Sequence, residues 1–434
     1  MSEGKIILGA GVTGLAAGVV SGLPIYEAEE HPGGICSSYY MRPGDSRRFF
    51  TPPADGEAYR FEIGGGHWIF GADQEVMEFL RPIVSLKQYE RLSAVYFPKD
   101  ELYVPYPIQN HLASLPPDLA QKALADIMDG GNHPISTLSD WLMVNFGKTL
   151  FFHPFHELYT AGLHNHIAPQ DPHKSPLDKS LILKGAKEKT PAVGYNATFV
   201  YPENGLNDLV NRLAQKNNIY FNKTVVDINP ERKSIRFADG GEVLYDQILS
   251  TLPLNRMVEM TALNLTAPAD PCTSVLVSNV GAVRGHRCPE HHWLYIPHSH
   301  AGFHRVGFYS NVDGSFLPKS ARPLRNRVSI YVERSFRAGL APPIEAVRAY
   351  EFEVVRELEN WGFIEKPEVV DTTWIPVAYT WRRVGSTWRE QALEILRRHD
   401  IHQVGRYACW KFQGIAESIT DGLKAGLAIR NSSK

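Results

Sequence analysis

Hydrophobic and polar positions along the chain change their period several times. The first run, Lys5-Ile6-Ile7-Leu8, is short and apolar, which predicts a buried strand. It passes at once into Gly9-Ala10-Gly11-Val12-Thr13-Gly14 and a small-residue stretch over 15–20 that predicts a helix. Pro24-Ile25-Tyr26 predicts a second strand, ending in Glu27. Strand, glycine turn, helix and strand in this order form the opening β-α-β unit of a dinucleotide-binding fold. Over 116–160 the pattern is helical, most clearly from Asp118 through Ala123 to Met128. Beyond Asn204 the chain reads as a helix over 205–216. A β-meander follows, with β-branched residues alternating through Val225-Val226-Asp227-Ile228 and Ser234-Ile235-Arg236-Phe237 to a Gly240-Gly241 turn. Further strands are expected at 274–280, 293–296, 306–310 and 328–332, with one helix over 344–361 and another closing the tail, 405–429.

These runs predict an α/β chain. A Rossmann-like dinucleotide-binding domain would carry an inserted helical domain and a mostly antiparallel β-sheet domain. No internal repeat or low-complexity linker separates them, so interleaved domains are expected. Residues 1–105, 195–262 and 400–434 would make the dinucleotide-binding domain, 106–194 the helical one and 263–399 the antiparallel sheet.

The 434 residues exceed one ordinary core. A formal net charge of −2 argues against a nucleic-acid or acidic-membrane binder, whose footprint is a basic excess. Mean hydropathy is −0.24, and no apolar run is long enough to span a bilayer. The opening residues lack the layout of a secretory signal, and four cysteines are scattered without CxxC spacing. Reduced thiols in the cytoplasm are the expectation.

A lone GxGxxG motif says little; here it follows a strand, opens a helix and has an acid at the end of the next strand. Gly9, Gly11 and Gly14 let backbone N–H groups approach a pyrophosphate at a helix N-terminus, and Glu27 can accept from a ribose hydroxyl. The continuation through Gly33, Gly34 and Ser37 resembles that of flavoproteins. Glu27 follows Gly14 sooner than is usual for the motif. The first helix is therefore expected to be short and weakened by Gly18 and Gly22, with the adenosine half of FAD held loosely.

Longer segments resemble the UDP-galactopyranose mutases, especially the eukaryotic type, in order along nearly the whole chain. Phe61-Glu62-Ile63-Gly64-Gly65-Gly66-His67-Trp68-Ile69-Phe70 is similar to the family's GGHxIF loop, whose histidine sits by the flavin. Val104-Pro105-Tyr106-Pro107-Ile108-Gln109-Asn110 is similar to its PYPxQN segment, and Leu150-Phe151 through Phe155 to the helix whose aromatics hold the base. Tyr195-Asn196-Ala197-Thr198-Phe199 resembles the NATFxxP strand. Trp293-Leu294-Tyr295, with Arg305 and Ser310-Asn311 downstream, resembles the stretch that supplies an aromatic wall and a phosphate-binding arginine. Gly405-Arg406 through Phe412 resembles the terminal flavin-contacting segment.

The resemblance implies a mutase that opens and recloses the ring of a nucleoside-diphosphate sugar on reduced FAD, interconverting pyranose and furanose. It assigns catalysis to His67, Arg305, Tyr295 and Tyr379. Substrate contacts fall to Tyr106, Gln109, Phe151, Phe155, Asn196, Trp293 and Asn311. FAD contacts fall to Gly9, Gly11, Gly14, Glu27, Gly33, Gly34, Ser37, Gly65, Gly66, Val225, Gly405 and Arg406. The expected partner is the nucleotide sugar, with no nucleic acid or membrane; the oligomeric state is not legible.

The chain departs from the family's pattern in places. The first of two phosphate-binding arginines has no match after Pro169; Lys174, or Arg382 with Arg383, is the expected substitute. Phe412 stands for a tyrosine and Thr160 for a tryptophan. Histidines cluster at 153–173 and 291–304, so a divalent metal carrying the diphosphate charge is an alternative to flavin chemistry. An amine-oxidase-type flavoprotein is another alternative, since it shares the first fingerprint.

Overall fold

The computed structural model describes residues 4–131, 134–151, 155–169, 178–188, 190, 194 and 196–431. Its centre is a five-stranded parallel sheet in the order Ile219–Tyr220, Ile25–Tyr26, Lys5–Leu8, Gln247–Ser250, Ile401–Gln403. Ile6, Ile7 and Leu8 are all fully buried, because helices cover both faces of a parallel sheet. Ile7 faces a layer built from helices Val12–Ser21, Leu206–Ala214 and Ile415–Asn431. Ile6 and Leu8 point the other way, into a core with Met257, Trp388 and Leu396.

The short first helix is observed, and its glycines have structural uses. Gly22 is the left-handed C-cap at φ 73°. A Cβ at Gly18 would lie 2.0 Å from Asn217 Oδ1. The last helix approaches the first as closely: a Cβ at Gly422 would lie 2.3 Å from the Thr13 carbonyl oxygen, and one at Gly426 2.4 Å from that of Ala17.

The second sheet has seven strands in the order Ile364–Thr380, Cys272–Arg284, Arg327–Arg337, Arg305–Phe308, Trp293–Tyr295, Ser93–Phe97, Leu102–Pro105. Every pair is antiparallel except Trp293–Tyr295 with Ser93–Phe97. Two expected boundaries shift here. Ser93–Phe97 and Leu102–Pro105, assigned by the cut at 105 to the dinucleotide domain, are the last two strands of this sheet. Helix Trp388–Arg398, assigned to the sheet domain, packs its Trp388 and Leu396 under the parallel sheet. The sequence pattern does not predict the 17-residue strand Ile364–Thr380. It contains Pro367 and Pro376, which interrupt the strand pattern in the sequence, and as the outermost strand it tolerates both.

The inserted segment carries helices Pro117–Asp129, Leu138–Phe151, Phe155–Thr160 and Lys179–Gly185. It packs on the sheet edge through Val95, Val104, Leu112, Ile127 and Ile182. No helix among the described residues is long and apolar enough to cross a membrane.

Candidate functional site

Three pieces of backbone converge between the two sheets. The first is the glycine turn. Gly9 adopts φ 95°, and a Cβ at Gly14 would stand 2.0 Å from the Gly9 carbonyl oxygen, so both glycines close the turn. Gly11 differs: nothing among the described residues lies within 4 Å of where its Cβ would be. It is the N-cap of helix Val12–Ser21, with no side-chain cap and no acid in the first turn. That leaves N–H groups and the positive end of the helix dipole facing open space, as an anion requires. Gly33 pairs with Gly11 and its N–H donates to the Ala10 carbonyl at 2.8 Å. A Cβ at Gly33 would meet Ser37 Oγ at 2.4 Å, and Gly34 lies beside Gly11. The Glu27 carboxylate accepts from Ala10 N–H at 2.6 Å and Glu29 N–H at 3.0 Å, which fixes it at the strand end. Lys223 N–H donates to the Glu27 carbonyl at 2.7 Å, bringing the chain that leads to Val225 alongside.

The second piece is the loop Gly64 to His67. Gly65 has φ 81° and presses on Glu333 and Tyr331; a Cβ at Gly66 would lie 2.1 Å from the Tyr331 hydroxyl oxygen. His67 Nδ1 lies 3.3 Å from the Gly65 carbonyl oxygen. Burial, then the charges of Arg406 and Arg305, lower its pKa to about 4, so the ring is neutral at pH 7. At the foot of this loop Glu62 is fully buried, accepting from the Tyr201 hydroxyl and from Ser38 Oγ at 2.8 Å. Burial, opposed by Arg60, raises its pKa to about 7.

The third piece is the tail. Gly405 has φ 90°, and its Cβ would meet Thr13 Oγ1 at 2.7 Å. The Arg406 guanidinium donates to the carbonyls of Gln413 at 2.7 Å and Ala378 at 3.0 Å. It stands over the rings of Phe412, Tyr407 and Tyr379 at 5.0, 5.4 and 5.6 Å. Bound to carbonyls and rings rather than to a carboxylate, it keeps its positive charge available beside His67.

Arg305 lies where these pieces meet the antiparallel sheet. Its Nη2 donates to Glu333 Oε2 and to the Tyr379 hydroxyl at 3.2 Å. Burial acts to lower its pKa; the carboxylate of Glu333 overrides that and holds it well above the usual arginine value. An aromatic wall stands beside it. Tyr295 packs on Tyr106 at 4.6 Å and on Phe155 at 5.4 Å, and Phe155 lies 6.1 Å from His304. Gln109 is 5 % exposed at the foot of this wall.

Other expected residues sit differently. Asn196 Oδ1 accepts from Arg91 Nη1, and Arg91 also donates to the Tyr106 carbonyl at 3.0 Å. Trp293 is buried in the main core, against Phe70 and Phe199. Asn311 is drawn away: its amide donates to the carbonyls of Pro289 and His291 at 2.8 Å and accepts from Arg284. The side chain of Phe151 and the whole of Lys174 lie outside the described residues. Arg382 and Arg383 do not stand in for the missing arginine. Arg382 is bound to Ser386 and Glu390, and Arg383 to the carbonyls of Pro268 and Ala269, both at the surface.

Sequence reasoning missed Arg91, Glu333 and Tyr159, and took His304 only as one of a histidine cluster. The register signal for Glu333 was present, since strands 305–308 and 327–337 pair and place it opposite Arg305. Tyr159, one turn after Phe155, packs on Tyr379 at 4.7 Å and Trp381 at 5.5 Å, closing the wall where the expected tryptophan is Thr160. His153 and His173 lie outside the described residues, and the described histidines of 291–304 have separate neighbours. His291 stacks on Tyr103, His292 contacts Phe199 and His304 faces Glu333. Among the described residues no three His, Cys, Asp or Glu side chains are placed to hold a metal ion.

Fold and glycine turn together define a two-sheet architecture whose parallel sheet opens on a dinucleotide-binding turn. A family model described as flavin containing amine oxidoreductase matches residues 151–283. The structure of reduced UDP-galactopyranose mutase aligns over 100% of this chain and 94% of that one, at TM-score 0.83 and 21% identity. A putative protoporphyrinogen oxidase from Exiguobacterium sp. 255-15 aligns over the full length of both chains at TM-score 0.67 and 14% identity. A redesigned putrescine oxidase aligns over 99% of each chain at TM-score 0.59 and 14% identity.

Proposed function

We propose that this chain is a flavin-dependent nucleotide-sugar mutase, interconverting the pyranose and furanose forms of an NDP-hexose such as UDP-galactose or a GDP-sugar. The observation that carries the reading is a partly buried arginine, Arg305, set between an aromatic wall and the Gly65–Gly66–His67 loop. A planar guanidinium keeps its charge and binds phosphate oxygens in pairs, and aromatic faces suit a nucleobase.

The residues present fit FAD. The open N–H groups at Gly11 suit its pyrophosphate, Glu27 its ribose, and Gly65, Gly66, Gly405 and Arg406 the edge of its ring system. Bound there in reduced form, FAD supplies the nucleophile that lets the anomeric carbon release its diphosphate. The chain's own residues perform the rest. Arg305, with the hydroxyls of Tyr295 and Tyr379, would hold the departing diphosphate in place for its return. Tyr106 and Phe155 would enclose the base and Gln109 read its edge. Neutral His67 has one ring nitrogen able to accept a proton from a sugar hydroxyl and return it.

The second reading, an amine-oxidising flavoprotein, is supported by the family description matched at 151–283. The positive charge of Arg406, which is bound to carbonyls rather than to a carboxylate, opposes it, because a protonated amine would be repelled.

The test is chromatography of UDP-galactopyranose and GDP-sugars incubated with the dithionite-reduced protein. Furanose product that requires both flavin and reductant is expected. Absence of product with every sugar, together with peroxide release from a diamine, would replace this reading by the second. Isomerisation that needs no flavin and is lost to EDTA would favour metal-assisted chemistry instead.

A further inference from the structure

Arg305 carries its own anion. Glu333 stands directly opposite it across the antiparallel pair and is 2 % exposed. Glu333 Oε2 accepts from Arg305 Nη2 and, at 3.4 Å, from the Tyr379 hydroxyl; His304 Nε2 lies 3.7 Å away. Glu333 Oε1 has no hydrogen-bond partner among the described residues and faces Gly65, where a Cβ would stand 2.9 Å from it. Arg305 Nε also lacks a partner among them, and the side chain retains 23 % exposure. The guanidinium thus has one edge committed to Glu333 and another left over, and its fork can serve two anions at once.

We propose that Glu333 is the built-in counter-ion of Arg305, a positioning residue that aims the free edge of the guanidinium at the substrate diphosphate and moderates how tightly that diphosphate is held. The inference rests on the nucleotide-sugar reading above. Two effects follow from a carboxylate in that place. It neutralises a partly buried cation that would otherwise have no counter-charge when no ligand is bound. It also repels the incoming diphosphate, since both anions share one guanidinium. A diphosphate that must leave the sugar and then return is served by such moderation: uniformly tight holding of the free diphosphate would stabilise the dissociated state rather than the transition state.

A charge-specific role predicts an unusual sign. Removing the charge while keeping the shape, as in Glu333→Gln, should tighten UDP binding, by about tenfold, while turnover falls. Glu333→Asp keeps the charge and should not tighten binding. Merely structural importance would loosen binding in both. Calorimetry of UDP on the flavin-loaded protein reads the effect, and the double variant Arg305→Met/Glu333→Gln should abolish the tightening. Glu333→Met, a neutral variant of similar length, repeats the measurement should the amide variant misfold. If wild-type protein binds UDP and the neutral variants bind it equally or more weakly, the counter-ion inference is overturned alone. Tightening that persists without Arg305 would overturn it as well. If wild-type protein binds no UDP, the nucleotide-sugar reading falls and takes this inference with it.

Discussion

Gly307 and Tyr331 face each other across the antiparallel pair, and the tyrosine ring fills the space that a side chain at 307 would need: a Cβ there would lie 1.9 Å from ring Cζ. The same ring closes on Gly66 from its other side. Gly307→Ala must therefore push Tyr331 into the loop that carries His67. An overpacking cost of about 1–3 kcal/mol is expected from denaturant titration. Because the two residues touch, Tyr331→Ala should relieve part of it; strictly additive losses in the double variant would show that the ring is not the obstacle.

Arg305→Ala weakens any diphosphate contact, a charge-assisted bond of roughly 1.5–3 kcal/mol. It does more than that, because Glu333 then remains buried without its partner. Breaking a buried pair from one side costs about 3–5 kcal/mol of stability. Arg305→Met/Glu333→Gln should melt higher than Arg305→Ala alone, although neither regains turnover. Equal melting temperatures for Arg305→Ala and wild type would mean that solvent compensates Glu333.

The glycines of the turn should separate into two kinds. Gly14→Ala places a Cβ against backbone and should destabilise the fold. Gly11→Ala meets nothing in the protein and should leave the melting temperature of the flavin-free protein unchanged. The cost at Gly11 should appear in the cofactor: absorbance of purified protein should show reduced flavin content. Full flavin occupancy in Gly11→Val would remove the turn as the pyrophosphate site.

Stability should depend on pH between about 4 and 7. His67, His156 and His292 are each held near pKa 4 by burial, below the unfolded value of 6.5. The unfolded chain binds more protons than the folded one in that window, so these three contribute stability that is present above pH 6.5 and lost as pH falls toward 4. Glu62 works in the opposite sense. Raised from 4.5 to about 7, it contributes stability that is present below 4.5 and lost as pH rises through 7. Each group contributes a slope of at most about 1.4 kcal/mol per pH unit, and three outweigh one. Stability should rise from pH 4 to 6.5, and Glu62→Gln should steepen that rise; a flat profile would contradict the burial of the histidines.

Much of the fold was legible because its signals are local. Lys5–Leu8, the glycine turn and Glu27 lie within one short stretch, and Gly14 closes against Gly9 five residues earlier. The convergence of Arg305, Tyr295 and Tyr106 was legible only through the family resemblance. What escaped depends on pairing between distant segments. Glu333 becomes a partner of Arg305 by strand register, and Ser93–Phe97 joins the second sheet because Trp293–Tyr295 lies beside it. Asn311 was misplaced for a related reason: its motif neighbours reach the site along a strand, while the turn at Tyr309–Val312 swings its amide back to Pro289 and His291. The prolines of Ile364–Thr380 hid a strand that only its edge position permits.

The meeting of helices Val12–Ser21 and Ile415–Asn431 sets an order of events during synthesis. Residues made first cannot bury their small-residue face until residues made some four hundred positions later arrive, and the sheet strand Ile401–Gln403 comes equally late. At about 5–20 residues per second, the ribosome takes roughly 20–80 s to deliver them. For that interval the nascent glycine turn has a bare flank, open to holding chaperones and proteases. Gly405 cannot meet Thr13 before that late segment has been made, so any ligand that depends on this contact can be captured only after it.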